Sequence, residues 1–301
     1  MLLQARVRTF RLVRQHDHAM AAGETAHAWR GAGSRGCRTG GPKAEDAPVG
    51  RGLPLRLVLA VALHDVAWRE LDRRPRLDPE RGRPFRFDRH PLGEKLEAYR
   101  RGLDEMEAVD PWVGLLGSLH YSSFVGEERA GSFLRREEAR RRRLRSALAS
   151  REARDGAGAS GPEGAAGGEE GVGAGERDGG PERDRAGVDA RARRWLAWLK
   201  LFDGLSLRLC LAPPDVRDGS VPPWMSPGEP LEPPAGAPVE LRWRGPDRAV
   251  LDPFPLRGPL VLEIPVRDLP ARRYAAREEL AEAWEAVPER TWRLSLSPPD
   301  G

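Results

Sequence analysis

Residues 54–72 read PLRLVLAVALHDVAWRELD, and this stretch decides the reading of the fold. Leu57, Ala60, Val61, His64, Trp68 and Leu71 recur at helical spacing on one face. Val58, Leu59 and Ala62 cover the other faces, so the spacing predicts a helix buried nearly all round, at the centre of a helical body. Two polar residues interrupt it. His64 takes the middle of the apolar face, and Asp65 follows it directly. A polar group buried without a partner costs roughly 2–7 kcal/mol, and an unpaired carboxylate costs more. The doublet therefore calls for partners from other segments.

Working outward, other helical patterns carry the same anomaly. Residues 17–30 open with Asp17 as a candidate N-cap and set His18 in line with Ala22, Thr25 and Trp29. Residues 92–108 are amphipathic, with Leu92, Leu96, Tyr99, Leu103 and Met106 inward. Asp110-Pro111 supplies an N-cap followed by proline at the first helical position. The helix it starts aligns His120 with Val113, Leu116 and Phe124. Residues 127–150 form a charged helix, and residues 189–210 an apolar one in which Asp203 aligns with Leu196, Leu199, Leu207 and Cys210. Taken singly, each polar residue is accounted for by a core hydrogen bond. Taken together, His18, His64, Asp65, His120 and Asp203 can satisfy one another around a metal ion. Imidazole with carboxylate suits Mn²⁺, Fe²⁺, Ni²⁺ or Zn²⁺, whereas Mg²⁺ and Ca²⁺ prefer oxygen shells. His16 flanks His18, and either could be the one that faces inward. His27 and His90 are expected at the surface.

The last ninety residues change period. Val239, Leu241 and Trp243 alternate with polar residues, as do Leu260, Leu262, Ile264 and Val266, and then Trp292, Leu294 and Leu296. These predict half-buried strands of a small antiparallel sheet, with one helix marked by Tyr274, Leu280, Ala281, Trp284 and Val287 between the second and third. Residues 151–187 hold one large aliphatic side chain and no aromatic, and are about one-third glycine, so they are expected to be a disordered insertion. Residues 31–50 look like a shorter version, and residues 213–238, rich in Pro and Gly, like an irregular wrap. The expected fold class is α+β, mainly α. A helical domain spans 1–150 and 188–210, the Gly-rich insertion 151–187, and the Pro-rich wrap with a small C-terminal antiparallel β/α extension 211–301.

The 301 residues are 39% hydrophobic and 32% charged, with a net charge of +4. Only Lys43, Lys95 and Lys200 are lysines, so arginine carries almost all the positive charge. The basic run Arg135–Arg145 is expected to be a solvated helix face and not a specific nucleic-acid reader. Two distant cysteines, Cys37 and Cys210, exclude a disulfide scaffold and a cysteine zinc ribbon. The longest apolar stretch is too short to span a bilayer, and the first fifteen residues, MLLQARVRTFRLVRQ, alternate Arg with apolar residues and are not a secretory signal. A cytoplasmic protein is expected. Residues 31–36 and 156–161 fit G-x-G-x-x-G, but neither follows a strand and opens a helix. Ser122 and Ser123 lie near His120 without a G-x-S-x-G elbow. Trp195 and Trp198 are expected in the core.

The order His18, His64-Asp65, Asp203 resembles the H…HD…D pattern of the HD-domain metal phosphohydrolases, which implies an HD-like helical bundle. The chain resembles domain-of-unknown-function family 3891 more closely. That resemblance rests on Gln15-His16-Asp17-His18-Ala19, His64-Asp65-Val66-Ala67-Trp68, Pro75-Arg76-Leu77-Asp78-Pro79, Ser118-Leu119-His120 and Phe202-Asp203-Gly204-Leu205-Ser206-Leu207. The HD resemblance implies that His18, His64, Asp65 and Asp203 hold a divalent transition metal. Asp65 would also orient the attacking water, and His120 would act as a further ligand or general acid. Arg73, Arg74, Arg76 and Lys200 are candidates to hold phosphate. The implied activity is metal-dependent hydrolysis of a small phosphate ester or nucleotide. The alternatives are a non-catalytic metal- or ligand-binding protein with the same pocket, and an interaction protein using the Arg-rich helix.

Overall fold

The computed structural model describes residues 1–30, 52–158, 180–217 and 221–300. The Gly-rich segment 31–50 and the central part of the 151–187 insertion, residues 159–179, lie outside the described residues, as does Cys37.

In chain order, strands β1 (Leu2–Ala5) and β2 (Thr9–Val13) lead directly into helix α1 (Gln15–Ala28). Asp17 is not the N-cap expected of it. Arg14, still extended at φ −70° and ψ 146°, holds that place, and Asp17 sits in the first turn, paired with the Arg14 guanidinium at 2.5 Å. Helix α2 runs over Leu55–Leu63, much shorter than the expected 54–72. His64 is still near-helical, but Asp65 at φ −116° and ψ 23° leaves the helix, and a 3-10 turn follows over Val66–Trp68. Adjacent residues on a continuous helix do not face the same way. Breaking the helix at the doublet lets both side chains turn toward one point.

The two-residue strands β3 (Leu77–Asp78) and β4 (Arg83–Pro84) form a small hairpin. Helices α3 (Leu92–Val109) and α4 (Pro111–Ser122) follow, and the Asp110 carboxylate accepts from the Trp112 N–H at 2.7 Å, as the Asp-Pro signal requires. Helices α5 (Glu127–Gly158) and α6 (Gly180–Leu211) pack together and extend into both flanks of the stretch expected to be disordered. Arg145–Asp189 and Arg191–Glu152 ion pairs and the buried Leu148, Val188 and Ala192 join them there. The chain ends with β5 (Glu240–Gly245), β6 (Arg248–Asp252), β7 (Leu260–Pro270), α7 (Arg277–Ala286) and β8 (Arg290–Ser297).

The sheet corrects the expected C-terminal antiparallel extension in two respects. Its order is β1-β2-β7-β8-β6-β5, so the N-terminal hairpin forms one edge through Leu12↔Arg267 and its neighbours. It is also mixed, because β6 runs parallel to β8, pairing Arg248 with Ser295 and Val250 with Ser297. Period-2 alternation divides its faces. Leu2, Val13, Leu262, Ile264 and Val266 join the core shared with Trp29, Leu57 and Val61. Leu3, Leu12 and Leu269 turn to the other face, where Leu280 and Trp284 of α7 cover them. The helices thus share one core with the sheet. Trp195 and Trp198 lie in it, as expected.

Two close approaches hold the segment around the doublet. A Cβ at Gly23 of α1 would lie 2.5 Å from the Ala62 Cβ, and a Cβ at Gly102 of α3 2.5 Å from that of Ala67. Only glycine permits either contact.

Candidate metal centre

His18 and His64 are fully buried, His120 and Asp65 nearly so, and Asp203 keeps a small exposed edge. They come from α1, the end of α2, the break that follows it, α4 and α6. One ligand atom from each of His18, His64 and Asp203 lies within 4.8 Å of the other two. Asp65 Oδ2 is 2.9 Å from His18 Nε2 and 3.9 Å from His64 Nε2. Asp203 divides its oxygens, Oδ1 lying 3.3 Å from His64 Nε2 and Oδ2 3.6 Å from His120 Nε2. The five residues named from the sequence therefore meet, and His18 is the one of the His16–His18 pair that faces inward.

The hydrogen bonds behind the rings fix which nitrogen is offered. His64 Nδ1–H donates to the Val61 carbonyl at 2.6 Å, so its Nε2 points into the cluster, buried and without a hydrogen-bond partner. The Ser206 hydroxyl donates to the Asp203 carbonyl at 3.0 Å, which leaves its oxygen to accept from His18 Nδ1–H at 2.8 Å. In the neutral ring, His18 Nε2 is then a lone pair facing a carboxylate oxygen at 2.9 Å. Two acceptors at that distance need a proton or a cation between them. Such outer hydrogen bonds are how proteins set the tautomer of a metal-binding histidine.

The local fields agree with this arrangement. Burial alone would lower the His64 pKa, but the Asp203 and Asp65 carboxylates outweigh it and raise the ring to about 9. Burial would raise Asp203, yet His64, then His120 and His18, hold it well below the usual carboxylate range. Burial pushes His120 down to about 4 against the pull of Asp203. The His64 and Asp203 shifts have one cause, two carboxylates buried beside the rings, whose field favours a positive charge there, whether a proton on His64 or a cation in its place. Two imidazoles and a carboxylate are a donor set that fits a divalent transition metal.

A cleft of about 550 Å³ opens onto one side, where Asp65, His120 and Asp203 form part of its wall. Lys200, a sequence candidate, lines it. Arg73, Arg74 and Arg76 do not, since each is paired elsewhere, with Glu70, Glu285 and Glu94. His27 is exposed, as expected. His90 is not at the surface, because the loop before α3 folds over Trp68 and packs the ring between Trp68 and Phe85, at 5.8 and 6.1 Å. Sequence reasoning missed Ser206, which orients His18, and Lys95, Phe124 and Trp224 as parts of the cleft. Lysine scarcity was the available signal for Lys95. No local pattern marks Trp224, which reaches the cleft from the irregular stretch after α6.

Residues 1–271 match the family model described as "Protein of unknown function (DUF3891)". No curated protein and no solved structure matches the chain. Among the described residues, no helix is long and apolar enough to cross a membrane.

Proposed function

We propose that this chain, which belongs to the DUF3891 family, is a divalent-metal-dependent phosphohydrolase of HD type acting on a small phosphate ester or nucleotide. The observation that carries this reading is the meeting of His18, His64 and Asp203 ligand atoms within 4.8 Å, beside a cleft that can admit a substrate. The order His18, His64-Asp65, Asp203 along the chain supports the HD type. A bound Mn²⁺, Fe²⁺, Ni²⁺ or Zn²⁺ would lower the pKa of a water and polarise a phosphoryl oxygen.

The protein's own groups do the rest. The Val61 carbonyl and the Ser206 hydroxyl hold the two imidazoles so that their Nε2 atoms face inward. Asp65 reaches both the cluster and the cleft, so it can orient a water and accept its proton. Hydrolysis joins that oxygen to phosphorus and breaks the ester P–O bond. His120, facing Asp203 from the cleft wall, serves as a further ligand or as donor of a proton to the leaving oxygen. The deep setting of the rings keeps bulk water from competing for the ligands.

Elemental analysis of protein purified without chelator and without a histidine tag tests the reading. We expect about one or two transition-metal ions per chain, and activity on a panel of phosphate esters. Replacing His64 by Ala together with Asp65 by Asn should abolish both while circular dichroism stays that of a folded chain. Protein that is metal-free and takes up none of the four ions in titration would overturn the proposal. Metal-loaded protein inactive across the panel would instead establish a non-catalytic metal-binding protein.

A further inference from the structure

The cleft beside the metal centre is built for more than water. Only three of the chain's fifty basic side chains are lysine, and two of them, Lys95 and Lys200, line this one cavity. They come from different helices. Lys95 stands one turn before Tyr99 on α3, and Lys200 one turn before Asp203 on α6. Neither has an ion-pair partner among the described residues, while the neighbouring arginines are engaged, Arg86 with Asp88 and Arg76 with Glu94. A lysine is a compact point charge that can approach a phosphate from any direction, whereas an arginine is easily diverted into a bidentate carboxylate pair. Two uncommitted ammonium groups on the wall of a cavity shared with Asp65, His120 and Asp203 form an anion site adjoining the candidate metal.

The same cavity has an aromatic mouth. Phe124 and Trp224 both line it, and they are 55% and 60% exposed. Phe124 packs edge-on against the His120 ring at 4.6 Å, and Trp224 edge-on against Phe87 at 6.3 Å, so each is held from behind with its outer surface open. Large aromatic side chains left exposed at a cavity rim are suited to a planar group of a ligand. The volume, about 550 Å³, lies within the range of small-molecule sites. Charge also matches. Asp88, a third carboxylate of the wall, is balanced by Arg86. With a divalent ion balancing Asp65 and Asp203, the two lysines then leave a double positive charge for a dianion.

We infer that Lys95 and Lys200 clamp the phosphate of a phosphate monoester whose organic part is a planar ring system, and that Phe124 and Trp224 hold that ring. This assignment deepens the phosphohydrolase reading and rests on it for the position of the scissile bond. Lys95 and Lys200 are specificity-determining residues here, and the metal ligands are untouched by their replacement.

The test uses full-length, Mn²⁺-treated protein and three probes: a monophosphate, namely the adenosine 5′-monophosphate analogue in which a methylene replaces the ester oxygen so that hydrolysis cannot consume it, adenosine and inorganic phosphate. Binding is followed by calorimetry and by tryptophan fluorescence. The monophosphate should bind more tightly than either fragment. Lys95→Met with Lys200→Met should weaken the monophosphate and inorganic phosphate at least about tenfold and leave adenosine unchanged. Phe124→Ala with Trp224→Ala should weaken the monophosphate and adenosine by a similar factor and leave inorganic phosphate unchanged. Lys200→Met alone, at an exposed position, guards against a folding defect in the double variant and should show part of the loss. Metal content should equal that of the wild type in every variant. Lysine variants that bind both phosphates like the wild type would overturn the inference, as would metal-loaded wild type that binds none of the probes. A protein that takes up no metal yet binds the monophosphate in a lysine-dependent way would support the clamp and sink the metal-centre reading.

Discussion

Two regions of the molecule bury charge, and they treat it in opposite ways. On the seam between α3 and α5, Arg140 is nearly buried and meets Asp104, Glu107 and the fully buried Glu137. Every charge there has an opposite neighbour, and Arg143 adds a second contact to Glu107. At the candidate metal centre, two carboxylates and three imidazoles converge, and His64 Nε2 and His120 Nδ1 lack hydrogen-bond partners. The first region is complete in charge within the chain, although both Glu137 oxygens and Arg140 Nε lack hydrogen bonds there too. The second would be completed by the cation proposed for it. Neither burial of charge nor a missing hydrogen bond separates the two regions, since both show both; the second stands apart by gathering two carboxylates and three imidazoles with no Arg or Lys side chain paired to them among the described residues.

The complete region breaks most sharply when one partner is removed. Arg140→Met leaves the buried Glu137 without its ion-pair partner, and breaking a buried pair typically costs about 3–5 kcal/mol. Urea unfolding should show a loss of that size. The double variant Arg140→Met, Glu137→Met should recover most of it, because buried pairs replaced by apolar groups of similar volume are often neutral. A single-variant loss below about 1 kcal/mol would mean that the seam is held by packing and not by its charges.

The incomplete region should respond to what is added. Divalent metal at about a hundredfold its dissociation constant should stabilise the folded chain by about 2.7 kcal/mol, since it binds the folded state and not the unfolded one. His64→Ala should abolish this gain, because it removes one of the three converging ligands. Thermal unfolding with and without Mn²⁺ or Zn²⁺ reads the difference directly. An equal shift in wild type and variant would place the ion elsewhere on the protein.

A smaller effect should follow from disturbing the frame that holds the second region. Gly23→Val drives side-chain atoms into Ala62, where even a Cβ would lie 2.5 Å away, and overpacking of this kind typically costs about 1–3 kcal/mol. Because Gly23 lies on the helix that carries His18, and Ala62 on the helix that ends at His64, metal affinity should fall along with stability. Unchanged affinity in a destabilised variant would show that the two histidines are placed independently of this contact.

The parts legible in the sequence are those that local chemistry dictates. Asp110-Pro111 announced α4, the alternation in 260–266 announced β7, and polar residues at apolar positions announced the candidate site. The parts that were not legible depend on distant contacts. The first thirteen residues carry the alternation of a strand, but the partner that makes them an edge of the sheet, β7, lies some 250 positions later. The parallel pairing of β6 with β8 has no local signature for the same reason. The helix of 54–72 was read too long because its hydrophobic period continues through Trp68, while the break at Asp65 answers to His18 on another helix. His90 was assigned to the surface from its place before a proline, and only packing against Trp68 and Phe85 reverses that.

The smallest expected effect concerns the exposed arginines of α5, which the sequence presented as a single basic run. The structure divides them. Arg140 belongs to the buried seam, whereas Arg136, Arg143 and Arg145 are ion-paired with Asp104, Glu107 and Asp189 near the surface, and Arg141 with Glu138. Exposed pairs contribute about 0–1 kcal/mol. Arg143→Ala should therefore change stability by no more than that, and less at high salt, where such pairs are screened. The same pairing limits any electrostatic grip on nucleic acid, because these arginines must first release a carboxylate, and only Arg135 and Arg142 of the run are exposed without an ion pair among the described residues. Duplex DNA should bind weakly, without sequence preference, and lose affinity steeply between about 50 and 200 mM salt. Tight, sequence-selective binding at physiological salt would show that these carboxylates yield to phosphate, and it would move the basic face of α5 from structural seam to recognition surface.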